Sequence, residues 1–158
     1  MVRSRGDRTV NVPARGIMPG MDRVTFPVVV HTLIFDQQGR LLLLRRMKTG
    51  FMDGHQGLPG GHLQPGETMS DAAKRECKEE VCIDVSAMLP LVVMPFLDGV
   101  DFIFEADEWT GVPKIGEPTK CSEVGWFLPD TLPDNVIPFV VKALELRTQQ
   151  VWYHEFSD

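Results

Sequence analysis

Val, Thr, Phe and Ile dominate the chain from Arg23 to Phe35, a composition that suits a pleated, half-buried surface. Pro27 interrupts this run and places an edge or bulge there. Asp36-Gln37-Gln38-Gly39 is a turn signal, and Leu41 to Leu44 resumes the apolar run, so the two stretches read as a hairpin with one buried strand. Lys48 to Gly57 is loop-like, and Gly57-Leu58-Pro59-Gly60-Gly61 is a segment whose backbone matters more than its side chains. Ser70 to Val81 contains neither Gly nor Pro and is predicted helical, capped by Thr68 with Asp71 in its first turn. Ile83–Val85 and Leu91–Met94 are predicted strands. Phe102–Glu105 pairs back after an Asp98-Gly99 turn, and Trp126–Leu128 is a short strand. Pro138 to Arg147 has helical spacing, with Val140, Val141, Ala143 and Leu144 as buried positions. Strands before, between and after two helices predict an α/β fold, an α/β/α sandwich with a mixed sheet.

On a helix at about 100° per residue, placing Glu76 at zero puts Glu80 near about +40° and Glu79 near about −60°. Ala73, Cys77 and Val81 fall on the adjoining core-facing side. Three carboxylates therefore share one rim beside the packed face, and they repel one another unless a positive charge intervenes. Hard divalent cations answer that need, because they prefer carboxylate oxygen and keep waters for substrate phosphates. Taken alone, the same pattern also describes a solvated acidic helix face.

Composition narrows the classes. With 22 acidic against 16 basic residues the formal charge is −6, which argues against a surface that coats a nucleic-acid polymer. The three cysteines, Cys77, Cys82 and Cys121, form no CxxC pair, so neither a disulfide framework nor a zinc site is expected, and a reducing cytoplasm is the simpler setting. No apolar run reaches the ~18–20 residues of a membrane span. Residues 1–22 carry Arg3, Arg5, Arg8 and Arg15 without an apolar core and are expected to form a flexible tail ahead of a domain covering 23–158. A monomer and a homodimer are both compatible with this reading.

The segment Gly61-His-Leu-Gln-Pro-Gly-Glu67, seven residues, then Arg75-Glu76-Cys77-Lys78-Glu79-Glu80-Val81-Cys82-Ile83 resembles the box of the Nudix hydrolase family, in its MutT-like form. The family's Gly, Glu, Arg, Glu, Glu, Glu positions all match at the right spacing through Glu80, and Leu58-Pro59-Gly60 resembles the approach to the box. Two positions depart. Cys77 stands at an apolar position, where a buried thiol behaves as a small hydrophobe. Cys82 replaces the last glycine, just past the helix, where a positive φ is often required.

The resemblance implies hydrolysis of a nucleoside diphosphate linked to another group X, with Mg²⁺ as the metal and Mn²⁺ as a substitute. It implies Glu76, Glu79 and Glu80 as metal ligands with the Gly60 carbonyl, Glu79 and Glu80 among the catalytic groups, Arg75 orienting a neighbouring Glu, and Glu67 bracing loop and helix. The general base varies in the family, and Glu117 and Glu123 are candidates on a later loop. Arg45 or Arg46, which strand alternation turns to opposite sides, is placed to reach a substrate phosphate. MutT-like members carry an Asn or Asp before the last helix that hydrogen-bonds a purine. Asn135 suits that edge because it both donates and accepts, though capping the last helix is its simpler role. His31, His55 and His62 lie near the site without evident partners. ADP-ribose members carry a proline about fifteen residues beyond the box and diadenosine-polyphosphate members a tyrosine, and 98–101 contain neither. A nucleoside-triphosphate pyrophosphohydrolase, acting on small nucleotides that include oxidised purine nucleotides, is the reading that remains. An ADP-ribose or nucleotide-sugar pyrophosphatase is the alternative within the enzyme class. A nucleotide-binding module without turnover is the alternative outside it, and such a module would be marked by loss of a box glutamate.

Overall fold

The structure is a computed structural model that describes residues 25–96 and 98–155. The expected tail through residue 22 lies outside the described residues. Strands β1 (Val28–Leu33), β2 (Leu41–Arg46), β3 (Gln56–Gly57) and β4 (Gly60–His62) precede helix α1 (Met69–Val81). Strands β5 (Asp84–Phe96), β6 (Gly99–Thr110) and β7 (Cys121–Phe127) then lead to helix α2 (Pro138–Gln149). One sheet runs β4-β1-β6-β5 and is mixed, because β1 and β6 are parallel; the other, β3-β2-β7, is antiparallel.

Alternation along the strands sorts the core into two layers. Leu33, Leu41, Leu43, Val92, Met94 and Ile103 pack with Val140, Ala143 and Leu146 of α2. Their immediate neighbours Ile34, Leu42 and Leu44 pack with Cys77 and Val81 of α1, and Val30 and Phe104 pack with Ala72 and Ala73. The result is the predicted α/β/α sandwich, with successive leucines of β2 feeding opposite helices. Burying each such leucine contributes about 1.5–3 kcal/mol, which makes the β2 register hard to slip.

Several local expectations are corrected. The turn at 36–40 forms, with Gly39 N–H donating to Asp36 O at 3.0 Å, but β1 and β2 then diverge into different sheets and share only the Phe35–Leu41 bridge. Pro27 lies ahead of β1 rather than inside it, since β1 is an interior strand whose amides are needed on both sides. The two expected strands 83–85 and 91–94 are one strand, β5, whose pairing with β6 shifts register between Pro90 and Val92. The strand expected from Trp126 begins earlier, at Cys121. On α2 the buried positions are Val140, Ala143 and Leu146, whereas Val141 is exposed and Leu144 only partly covered. At about 100° per residue Val140, Ala143 and Leu146 share one stripe, and Val141 falls about 160° from its middle.

Thr68 caps α1 by accepting from the Asp71 amide at 3.1 Å, while its own hydroxyl donates to the Asp71 carboxylate at 2.7 Å. At the other end Cys82 adopts φ 59°, the left-handed conformation anticipated where the glycine is replaced. Cys82→Gly is therefore expected to stabilise the fold by about 1 kcal/mol, read as a higher urea midpoint at unchanged slope. An unchanged or lower midpoint would show that the thiol compensates for its backbone.

Candidate active site

The loop 57–61 is threaded between β1 and the second half of α1, and at Gly60 and Gly61 an added Cβ would meet a neighbour. A Cβ on Gly60 would strike the Val30 carbonyl and the His31 ring; one on Gly61 would lie 2.5 Å from Glu76 Oε1. Gly60–His62 pairs antiparallel with Val29–His31, and Pro59 O accepts the Thr32 amide at 2.9 Å. The loop backbone is thereby fixed against the sheet on one side and against the helix carboxylates on the other.

Arg75 is the hub. Its guanidinium donates to both oxygens of Glu67 at 2.9 and 3.1 Å, to Glu76 Oε1 at 2.7 Å, to Glu79 Oε2 at 3.2 Å and to the His62 carbonyl at 3.2 Å. Fork geometry matches Arg to this task, because a single planar donor set can serve several fixed acceptors. The Arg75 hydrogen bonds, against some burial and with the Gln64 amide, hold the Glu67 carboxyl below its ordinary range. Loop and helix are braced through this pair.

The carboxylates divide by environment. Glu80 accepts the Gly60 amide through Oε2 at 2.8 Å, and its pKa is pushed up to about 7. Burial is the main cause and the negative charges of Glu76 and Glu117 add to it, outweighing the Gly60 amide and the nearby His31. Glu76 is mostly covered, whereas the Glu79 side chain is 51% exposed and, among the described residues, held only by Arg75. Glu117 reaches this group because its loop is tied to the end of α1: Lys114 N–H donates to Val81 O and Gly116 N–H to Glu80 O. Gly116 sits so close that a Cβ there would collide with the Glu79 carbonyl. Glu117 pairs with Lys120 at 2.8 Å.

The candidates on the neighbouring loop form a second group. Arg46 Nε donates to Phe51 O at 2.9 Å and its guanidinium lies 5.6 Å from the Phe51 ring centroid. Arg45 Nε and Asn135 Nδ2 both donate to Gly54 O, at 3.2 and 2.8 Å. A register shift in the β2–β7 pairing between Arg45 and Arg46 lets both arginines bond the same loop, where strict alternation would separate them. Asn135 is thus a tie to the 47–55 loop, and α2 is entered through Ile137 and Pro138 with no side-chain cap. Glu123 faces Arg45 at 3.8 Å across β2–β7 and is not among the principal charges acting on Glu80. The two later-loop glutamates therefore separate, Glu117 toward the box and Glu123 away from it.

Three features escaped the sequence reading. Lys120 balances Glu117, at an i+3 spacing visible only once the loop is known. His31 has a partner seventy residues away: Nδ1 lies 2.7 Å from Asp101 Oδ2 in a largely buried pair. Gln56 is buried with Oε1 unpartnered among the described residues. Pairing of β1 with β6 brings His31 and Asp101 together, and no local pattern announces it.

The carboxylates of Glu76, Glu79, Glu80 and Glu117 offer oxygen donors, of the hard type that suits Mg²⁺ or Mn²⁺. Among the described residues no three acidic, His or Cys side chains stand at ligand spacing, since Arg75 and the Gly60 amide draw the carboxylates to themselves. The raising of Glu80 by the charges of Glu76 and Glu117 is nevertheless the electrostatic signature of a site that gains from added positive charge. The donor set fits a divalent cation.

An α/β/α sandwich with a glycine loop leading into a Glu-rich helix defines a hydrolase class that acts on phosphoric anhydride bonds of nucleotides. A match to the NUDIX domain spans residues 25–146, and the chain belongs to the Nudix family. It is 34% identical over 111 residues to an oxidized purine nucleoside triphosphate hydrolase of Mus musculus, covering 66% of this chain and 69% of that one. It is 31% identical over 103 residues to an ADP-ribose pyrophosphatase of Methanocaldococcus jannaschii, covering 61% of this chain and 60% of that one. Among solved structures, a MutT NUDIX hydrolase from Burkholderia pseudomallei superposes with a TM-score of 0.70 at 31% identity, over 75% of this chain and 95% of that one. Among the described residues no helix is long and apolar enough to cross a membrane.

Proposed function

We propose that this chain is a Mg²⁺-dependent nucleoside-triphosphate pyrophosphohydrolase that releases a nucleoside monophosphate and pyrophosphate, with oxidised purine nucleotides among its substrates. The observation that carries the reading is the gathering of Glu76, Glu80 and Glu117 beside Gly60, with Glu80 pushed up to about 7 by burial and by its acidic neighbours. Glu76, Glu79, Glu80 and the Gly60 carbonyl would hold the metal, with Mn²⁺ as a substitute, and Glu117 adds a carboxylate from the later loop. Bound there, the ion would neutralise the diphosphate and lower the pKa of the attacking water. Arg75 fixes Glu76 and the loop, and Glu67 holds Arg75. Glu79, half exposed with one 3.2 Å bond to Arg75, is free to reorient and take the proton from water. Arg46 and Arg45 supply positive charge for the outer phosphates, and Asn135 a hydrogen-bonding edge for the base.

The similarity to the Mus musculus hydrolase supports the triphosphate reading, and that to the Methanocaldococcus jannaschii protein supports ADP-ribose as a second one. Turnover of dGTP, 8-oxo-dGTP and ADP-ribose at equal concentration with Mg²⁺ separates them. The expected order places a triphosphate first, with Glu79→Gln lowering its turnover by about 10²-fold or more. ADP-ribose cleaved fastest would select the second reading. No metal-dependent turnover of any of the three would overturn both.

A further inference from the structure

The face of the sheets turned toward α2 is apolar at Leu33, Val92, Met94 and Ile103, yet it becomes polar at His31 and Asp101. Both are largely covered, with side chains 14% and 8% exposed. Taking an imidazole and a carboxylate out of water is costly, and their hydrogen bond satisfies only one ring nitrogen and one carboxylate oxygen. Asp101 Oδ1 stays buried without a partner among the described residues. Apolar residues would fill this position more cheaply, so a structural role accounts poorly for the pair.

Its location explains it better. The His31 ring packs on Phe139 of α2 with centroids 4.7 Å apart, and its carbon edge lies against Gly60. Glu80 and Arg46 are both close enough for their charges to act on it. His31 therefore stands between the carboxylate group, the arginine on β2 and the start of α2, on the far side of Gly60 from the box glutamates. Because Asp101 takes Nδ1, the tautomer and ring angle are fixed, and Nε2 makes no hydrogen bond to any described residue. Nε2 is the polar atom of this pair that is neither hydrogen-bonded to a described residue nor fully buried.

We infer that His31 is a specificity-determining contact, its Nε2 hydrogen-bonding a polar group of the nucleoside next to the diphosphate, with Asp101 as the residue that positions it. This rests on the reading that a nucleotide diphosphate lies across the box. A phosphate held by metal, glutamates and Arg46 would leave its attached nucleoside within reach of the start of α2, where the His31 ring packs on Phe139. Substrates lacking a hydrogen-bonding group there leave Nε2 unpaired and are disfavoured.

The test uses the full-length protein with Mg²⁺. His31 ring resonances, assigned by their loss in His31→Asn, are followed while a nucleoside monophosphate or inorganic pyrophosphate is added. They are expected to shift with the monophosphate and to stay in place with pyrophosphate. His31→Asn keeps a donor toward Asp101 but deletes the outer nitrogen, so KM for the preferred nucleotide should rise about ten-fold while kcat changes much less. Asp101→Asn should raise KM by a smaller factor, because the ring remains but is no longer held. Ring signals that ignore the monophosphate, or that respond equally to pyrophosphate alone, overturn the inference even if the variants fold poorly. Ring signals that respond to the monophosphate when no nucleoside triphosphate is turned over would sink the proposed reaction and leave the His31 contact standing.

Discussion

Replacing Glu80 by glutamine is expected to lower kcat/KM by about 10²–10⁴-fold while making the metal-free protein more stable above neutral pH. The two effects part because they come from different protonation states. Glu80 titrates at about 7 in the fold against an ordinary value of 4.5, chiefly because burial penalises its charge. Stability linked to its proton is therefore fully present below about 4.5 and lost as pH rises through about 7. Glutamine keeps an oxygen to accept the Gly60 amide and carries no charge at any pH, so that loss disappears. Thermal midpoints in EDTA at pH 5 and pH 8 check this. The variant should gain on wild type at pH 8 relative to pH 5, whereas a fall at both would make Glu80 a structural residue.

The second large effect is expected from a single methyl group. In Gly61→Ala the new Cβ would lie 2.5 Å from Glu76 Oε1 and 2.7 Å from its Cδ, closer than any real contact allows. The obstacle is the end of a flexible side chain, so Glu76 swings away and the fold yields little. Displacing a group at the reacting centre by about 1 Å costs about 10²-fold in rate. Activity should fall by about that factor while the urea midpoint moves only slightly. In the double variant with Glu76→Gln the two losses should not add, because they remove the same carboxylate. Full additivity would place the damage elsewhere in the loop.

How much of this was readable from residues alone follows from the range of the forces involved. The capped helix at Thr68 and its buried stripe of Ala73, Cys77 and Val81 are set by neighbours within one or two turns and were legible, whereas the left-handed Cys82 was suggested only by the glycine that the family box carries there. The α/β/α layering was legible from strands placed before, between and after two helices, and the alternation of β2 leucines toward opposite helices is its physical basis. The partition of β1 and β2 into separate sheets was not, since a turn sequence fixes the chain reversal and leaves the strand partner to tertiary packing. The same limit hid the site's second half. Glu117 and Glu123 are equivalent in sequence, and only the tie of Gly116 to the end of α1 brings one of them to the box. Asn135 was readable as a hydrogen-bonding residue, but its partner at Gly54 lies 81 residues away. The His31–Asp101 pair depends on a parallel pairing across 70 residues.

The most direct measurement is the product balance of nucleoside-triphosphate hydrolysis, followed with and without Mg²⁺. Nucleoside monophosphate and inorganic pyrophosphate should appear in equal amounts, cease with EDTA and return with added Mg²⁺ or Mn²⁺. Orthophosphate in place of pyrophosphate, or turnover that persists in EDTA, would contradict the assignment of the Glu76–Glu80–Glu117 group to metal-assisted cleavage of the diphosphate.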